Sequence, residues 1–158
     1  MTLPPAAASY VTWGLGKEVC AVEVADVREI LDCGPVTRLP DAPPFLRGVI
    51  DLRGATVPVI DIGAKLGLGP SPVTPDTRIL VATLDLGDRD LVVGLQVERV
   101  FEVAQFEAGS LQSPPSVGGG WRSAYIKAIG RLRGEFVIVL DLPKLFDAGE
   151  IAAIPGQP

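Results

Sequence analysis

With 158 residues, 47% of them hydrophobic and only 6% aromatic, the chain is large enough for one domain or two very small ones. Nineteen acidic against fourteen basic residues leave a formal net charge of -5, which opposes the counterion release that drives nucleic-acid binding. Histidine is absent, so Ser-His-Asp and Cys-His triads and imidazole ligands for catalytic zinc are excluded, and no apolar run approaches the roughly 18 residues of a membrane span.

Residues 1–8, with Pro4, Pro5 and three alanines, are expected to form a flexible arm without a signal-peptide pattern. Between this arm and the C-terminal tail the apolar residues follow period two and not 3.6, as in Val22 and Val24 and again in Val93, Leu95 and Val97, which predicts a mainly β protein. Cys20 and Cys33 have no metal-like spacing and imply no disulfide framework, so both read as reduced thiols. Gly14-Leu15-Gly16-Lys17 fails as a phosphate loop, because Val11 stands where the first glycine belongs and Glu18 where a magnesium-ligating hydroxyl is needed.

The most informative pattern begins at Leu52. Leu52-Arg53-Gly54-Ala55-Thr56-Val57-Pro58-Val59-Ile60-Asp61-Ile62 and Leu132-Arg133-Gly134-Glu135-Phe136-Val137-Ile138-Val139-Leu140-Asp141-Leu142 share L-R-G-x-x-V-x-V-[IL]-D-[IL] at an offset of 80 (133 − 53). Upstream, residues 22–30 align with residues 95–103 at an offset of 73, and the difference fits an insertion in the turn-rich stretch 113–120. Each copy reads as two strands, a short irregular strand, a Pro-rich connection and a hairpin turning at Gly54 or Gly134. Two copies of about 75 residues would each be marginal alone and are expected to pack together. Five short strands per copy predict a small barrel, since closure removes exposed edges. Residues 67–77, rich in Gly and Pro, join the copies, and residues 148–158 are expected to be a flexible tail.

The repeated aspartates, Asp61 and Asp141, are the one enzymatic possibility, since two lobes each giving a carboxylate would resemble an aspartic-protease dyad. The flanking residues speak against a hydrolase, because Ile-Gly and Leu-Pro follow where such sites need a short hydroxyl- or Gly-bearing turn. Both aspartates are better read as caps of short helices, with Pro143 tolerated in the first turn. No catalytic residue, metal or cofactor is therefore predicted, and protein partners are expected.

From Phe45 to Asp61 the chain resembles the CheW family, the adaptors of bacterial chemosensory arrays, and further matches are Val27-Arg28-Glu29-Ile30, Val36-Thr37-Arg38-Leu39, Val92–Glu98 and Gly134–Phe146. The resemblance covers residues 9–147. It implies an all-β fold of two SH3-like five-stranded barrels side by side, with residues 9–70 as the first copy, 78–147 as the second, and terminal strands free to exchange. It also implies a non-enzymatic cytoplasmic adaptor that couples chemoreceptor tips to a CheA-type histidine kinase and reaches membrane arrays only through those partners. With a start methionine, free tails and no kinase core or receiver, the chain is expected to be the stand-alone adaptor; an array spacer or competitor is the alternative.

Carried onto this sequence, the resemblance implies a receptor groove formed by Val27, Glu29, Ile79 and Val103, with Gly48 and with Arg53 at the rim. Arg53 offers five donors in a fixed fork to a carboxylate or backbone carbonyls of the receptor. Ile30, Thr37, Arg38 and Leu39 are the implied kinase-binding residues, and the loop holding Trp121 is a further candidate contact. Arg78, where relatives are often apolar, is expected to influence partner choice.

Overall fold

A computed structural model describes residues 8–107, 109–114 and 125–154. Ten strands run in the order β1 (Tyr10–Leu15), β2 (Glu18–Glu23), β3 (Val27–Asp32), β4 (Leu46–Leu52), β5 (Ala55–Asp61), β6 (Arg78–Asp85), β7 (Asp90–Val97), β8 (Arg99–Ala104), β9 (Ile126–Leu132) and β10 (Glu135–Leu140). They form two five-stranded sheets, ordered β3-β6-β7-β5-β4 and β8-β1-β2-β10-β9. The hairpins are antiparallel, but β5 runs parallel to β7 and β10 parallel to β2.

Those two parallel contacts reveal how the copies interlock. The opening hairpin of the first copy, β1–β2, completes the second sheet, and the opening hairpin of the second copy, β6–β7, completes the first. The exchange between copies takes in a whole hairpin from each, so the sheets do not follow the 9–70 and 78–147 division of the sequence.

Each sheet curls toward a barrel by the same device. Thr37, beyond β3, exchanges two backbone bonds with Val49 of β4 (2.9 and 2.8 Å), and Gln112, beyond β8, does the same with Ile129 of β9 (2.9 and 2.8 Å). The chain after one edge strand thereby covers the opposite edge. Gly48 makes the first of these closures possible: its φ is +144°, and an added Cβ would collide with the Thr37 carbonyl.

The strands of the exchanged hairpins are buried on both faces. A large shared core holds Trp13 and Val22 against Leu80, Leu84, Leu95, Ile60 and Ile62. Behind it each sheet keeps a smaller core of its own, Val59, Ile79 and Val81 in the first and Tyr10, Ala21, Phe106, Val137 and Val139 in the second. Burial pushes the Tyr10 phenol and the Cys20 thiol up to about 12 each, with the nearby charges of Glu23 and Glu18 respectively adding to the effect.

Two expectations need correction. Asp61 does cap a helix, α1 (Ile62–Lys65), by accepting from the Ala64 N–H at 3.2 Å, but the Asp141 side chain caps nothing. Pro143 removes one of the free N–H groups, and the Lys144 N–H bonds to the Asp141 backbone carbonyl at 3.1 Å in a 3-10 turn, so no donor is left for the carboxylate. Nor is the segment after residue 147 uniformly a tail: α2 (Ala148–Ala153) starts with a capping box between Asp147 and Glu150, and Ile154 is buried in the shared core. Glu150 also reaches Lys65 at 3.1 Å, whose ammonium lies 5.6 and 5.8 Å from the Phe45 and Phe146 rings.

Candidate protein-docking site

The β4–β5 and β9–β10 hairpins turn on Arg53-Gly54 and Arg133-Gly134, with φ of +51° and +88° in the first and +50° and +82° in the second. Positive φ at both central positions suits the right-handed twist of the flanking strands, and Asn-Gly would adopt it with less strain than Arg-Gly. The arginine is therefore placed at a backbone cost, which points to a use for its side chain.

That use is visible in both copies. Arg53 forks onto Glu29 of β3, with Nη1 donating to Oε1 at 3.2 Å and Nη2 donating to Oε2, and Arg133 Nη2 donates to Glu102 of β8. Hydrogen bonding to Arg53 holds the Glu29 carboxyl below the ordinary carboxylate range, the charges of Arg53 and Arg28 add to this, and desolvation opposes it; Glu29 in turn raises Arg53. Each pair spans the mouth of its sheet.

Below the first pair lies a cleft of about 750 Å³ lined by Arg28, Leu52, Thr56, Val57, Val81 and Val92 as well as Glu29 and Arg53. Beneath the second is a smaller cleft of about 220 Å³, lined by Thr12, Val19, Phe101, Leu132, Glu135 and Val137 with Glu102 and Arg133. The strand register makes these clefts counterparts. Val81 faces Gly94, which sits beside Val59, and Thr12 faces Ala21, which sits beside Val139, so Val81 and Thr12 hold the same place.

The residues expected at a receptor groove divide between different places. Glu29 and Arg53 meet at the first cleft, and Val27 is half-buried two residues away on β3, packed against the shared core. Ile79 is only 1% exposed and belongs to the inner core of the first sheet, because its strand is covered on both faces. Gly48 is buried, and the close approach of Thr37 accounts for it. Val103 lies on β8 of the other sheet, 60% exposed.

The expected kinase face is more coherent. Ile30, Thr37 and Arg38 are exposed, while Leu39 packs partly against the shared core. Arg78 donates to the carbonyls of Pro75 and Thr77 at 2.8 and 2.9 Å and lies 3.4 Å from Asp32, so it fastens the linker to the first sheet. Trp121 lies outside the described residues.

Sequence reasoning missed the floor of the first cleft, Val57, Val81 and Val92, and the second ion pair. The pair was recoverable, since Glu29 and Glu102 align at offset 73 while Arg53 and Arg133 align at 80. The floor was not, because Val81 and Val92 arrive on the hairpin exchanged from the second copy.

Two interlocked barrels bearing duplicated surface clefts define a class of protein built to dock other proteins, and among the described residues no helix is long and apolar enough to cross a membrane. The sequence matches the CheW-like domain over residues 9–150, and the chain belongs to that family. It is 30% identical over 145 residues to "Chemotaxis protein CheW" of Klebsiella aerogenes, covering 92% of this chain and 85% of that one. It is also 30% identical over 153 residues to the protein of the same name from Rhizobium meliloti, with 91% and 96% covered. Among solved structures, the scaffolding protein TtCheW from Thermoanaerobacter tengcongensis superposes with a TM-score of 0.79 at 29% identity, over 90% of this chain and 94% of that one. The similarity thus extends over both sheets.

Proposed function

We propose that this chain is a cytoplasmic chemosensory adaptor, which catalyses nothing itself and couples the tips of chemoreceptors to a CheA-type histidine kinase. The observation that carries the reading is the Arg53–Glu29 fork, set at a strained turn over an apolar-floored cleft. Glu29 fixes the guanidinium, and the remaining donors of Arg53 stay available for carboxylate or carbonyl groups of a helical receptor tip. Val27 borders this site on β3. Ile30, Thr37, Arg38 and Leu39 form the kinase face around the end of the same strand, so both partners engage the first sheet.

Co-sedimentation of the purified chain with receptor-containing membranes, with and without kinase, tests this while autophosphorylation is followed in the same tubes. The chain should pellet with receptor and make kinase activity receptor-dependent. Arg53→Ala should weaken receptor binding by about tenfold, and Arg133→Ala by less than about twofold. Equal losses would assign Arg53 a general surface charge rather than a site. Arg38→Asp should weaken kinase binding while changing stability by less than about 0.5 kcal/mol. Kinase binding without bridging to receptor would identify a spacer or competitor instead.

A further inference from the structure

Strand β3 does not meet β6 residue for residue. Val27 faces Ala82 and Glu29 faces Val81, so three residues of β3 lie against two of β6, and Arg28 is the extra one, in a β-bulge. Strict alternation would send the Arg28 and Glu29 side chains to opposite faces, yet both line the first cleft. The bulge recurs in the second copy. Val11 faces Val103 and Trp13 faces Val100, so four residues of β8 lie against three of β1, and Phe101 and Glu102 both line the second cleft. Arg28 and Phe101 hold the same place in the repeat, at the offset of 73 (101 − 28) that also relates Glu29 to Glu102. Repeated at one position, each time beside a cleft, the bulge brings the residue before the glutamate to the mouth.

The two residues delivered in this way give the clefts opposite signs. The charged groups lining the first are Arg28, Arg53 and Glu29, two cations against one anion; those lining the second are Arg133, Glu102 and Glu135, one cation against two anions. Arg53 is forked onto Glu29, whereas Arg28 is exposed and, among the described residues, makes no hydrogen bond or ion pair. Asp51 of the same hairpin does not answer it, because its carboxylate accepts from the Gly54 N–H at 2.8 Å and lines a neighbouring depression instead. Asp90 lies beyond Val92 on the same face of β7, outside the lining of the cleft. On a chain of net charge -5 the first cleft is thus a positive mouth over an apolar floor of Val57, Val81 and Val92. A carboxylate drawn to Arg28 above that floor is partly withdrawn from water, which strengthens the pair.

We propose that Arg28 is the residue by which the first cleft selects its partner, and that it reads an acidic side chain on a receptor-tip helix bearing a large apolar side chain three or four positions away. This rests on the receptor reading of the cleft. The carboxylate meets the unpaired guanidinium at the mouth, and the apolar side chain, one turn along the same helix face, enters over the valine floor. The second cleft, with Phe101 in that place and an excess of negative charge, rejects the same segment.

The test is calorimetry of the full chain against each chemoreceptor tip of the source organism, made as a soluble helical hairpin, at low and at high salt. Arg28→Gln should weaken binding by about tenfold and flatten its salt dependence, and Arg28→Glu should weaken it by about a hundredfold. Both variants should keep the native circular dichroism melt, because the side chain is exposed and unpaired. Acidic residues of the tip are then changed to lysine one at a time. One such tip should bind the native chain about tenfold more weakly, and the Arg28→Glu chain about tenfold more tightly, than the unaltered tip does. If Arg53→Ala lowers binding while both Arg28 variants bind as the native chain does, or if no lysine substitution rescues Arg28→Glu, the assignment to Arg28 is overturned and the receptor reading stands. If the native chain binds none of the tips, the receptor reading falls and the role of Arg28 falls with it.

Discussion

The mouths of the two sheets are built from the same repeat, with the same arginine at the same strained turn facing a glutamate on the same strand, yet one cleft is about 750 Å³ and the other about 220 Å³. The difference comes from few positions. Where the first sheet carries Arg28, the second carries Phe101, whose ring lies over Gly14; where the first has Val81, the second has Thr12, which exchanges hydrogen bonds with the Glu102 backbone at 2.9 and 3.1 Å. The repeated frame fixes the ion pair, and a few substitutions decide how much room remains beneath it. Duplication here supplies a scaffold on which two surfaces have diverged.

The comparison breaks most completely if the copies are separated. Residues 1–73 retain β1–β5 but lose the β6–β7 hairpin that fills the first sheet between β3 and β5, and residues 74–158 lose β1–β2 in the same way. Each half alone should give an unfolded circular dichroism spectrum, and mixing the halves should restore strand signal with one cooperative melt. A folded half would mean that the exchanged hairpins are dispensable and that the sheets are independent.

A smaller but sharper asymmetry lies at the repeated aspartates. Asp61 is 1% exposed and accepts from the Ala64 N–H, the Ser71 N–H and the Ser71 hydroxyl, whereas the Asp141 side chain caps no helix and meets Lys144 only loosely, at 3.9 Å. Asp61→Ala leaves buried donors unpaired and should cost about 2–4 kcal/mol in urea denaturation. Asp141→Ala should cost less than about 1 kcal/mol, as for a surface ion pair. Equal costs would mean that linker anchoring contributes nothing.

The turn arginines give the next effect, expected to be the same in both copies. Arg53→Asn and Arg133→Asn relieve a left-handed backbone at the expense of an exposed ion pair, and such pairs contribute little. Each should raise the melting temperature by about 1–3 °C, although the first is predicted to lose receptor binding. A fall in melting temperature at either site would show that the ion pair outweighs the strain.

What could be read in the sequence was whatever repeats locally. The eleven-residue motif fixed the hairpins, their turns and the pairing of copies, and period two located the strands. The family resemblance allowed terminal strands to exchange, but that a whole hairpin crosses from each copy was not legible, because β2 alongside β10 and β7 alongside β5 are contacts across the whole chain that no local pattern encodes. Ile79 shows the consequence. The family resemblance placed it on the wall of a groove, and only the cover on both faces of β6 reveals it as core. Asp141 departs from the expected cap for a local reason written in the sequence, since Pro143 removes a donor a cap would use. Ile151 and Ile154, three apart after Asp147-Ala148-Gly149-Glu150, likewise carried a legible helix signal that tail-like composition obscured.

The smallest effect isolates one ion pair from everything else. Glu29 is held below the ordinary carboxylate range of about 4.3, chiefly by hydrogen bonding to Arg53. A carboxylate depressed in the folded state contributes stability that is fully present above its unfolded value and is lost as pH falls through its folded value. An NMR titration should therefore place the Glu29 midpoint below that of an unstructured glutamate, and Arg53→Ala should return it toward the ordinary value. Arg133→Ala should leave it unmoved, because that arginine serves the other sheet. Were Arg53→Ala to leave the midpoint low, Arg28 would be the dominant influence, and the fork would lose its claim to fix Glu29 at the mouth of the first cleft.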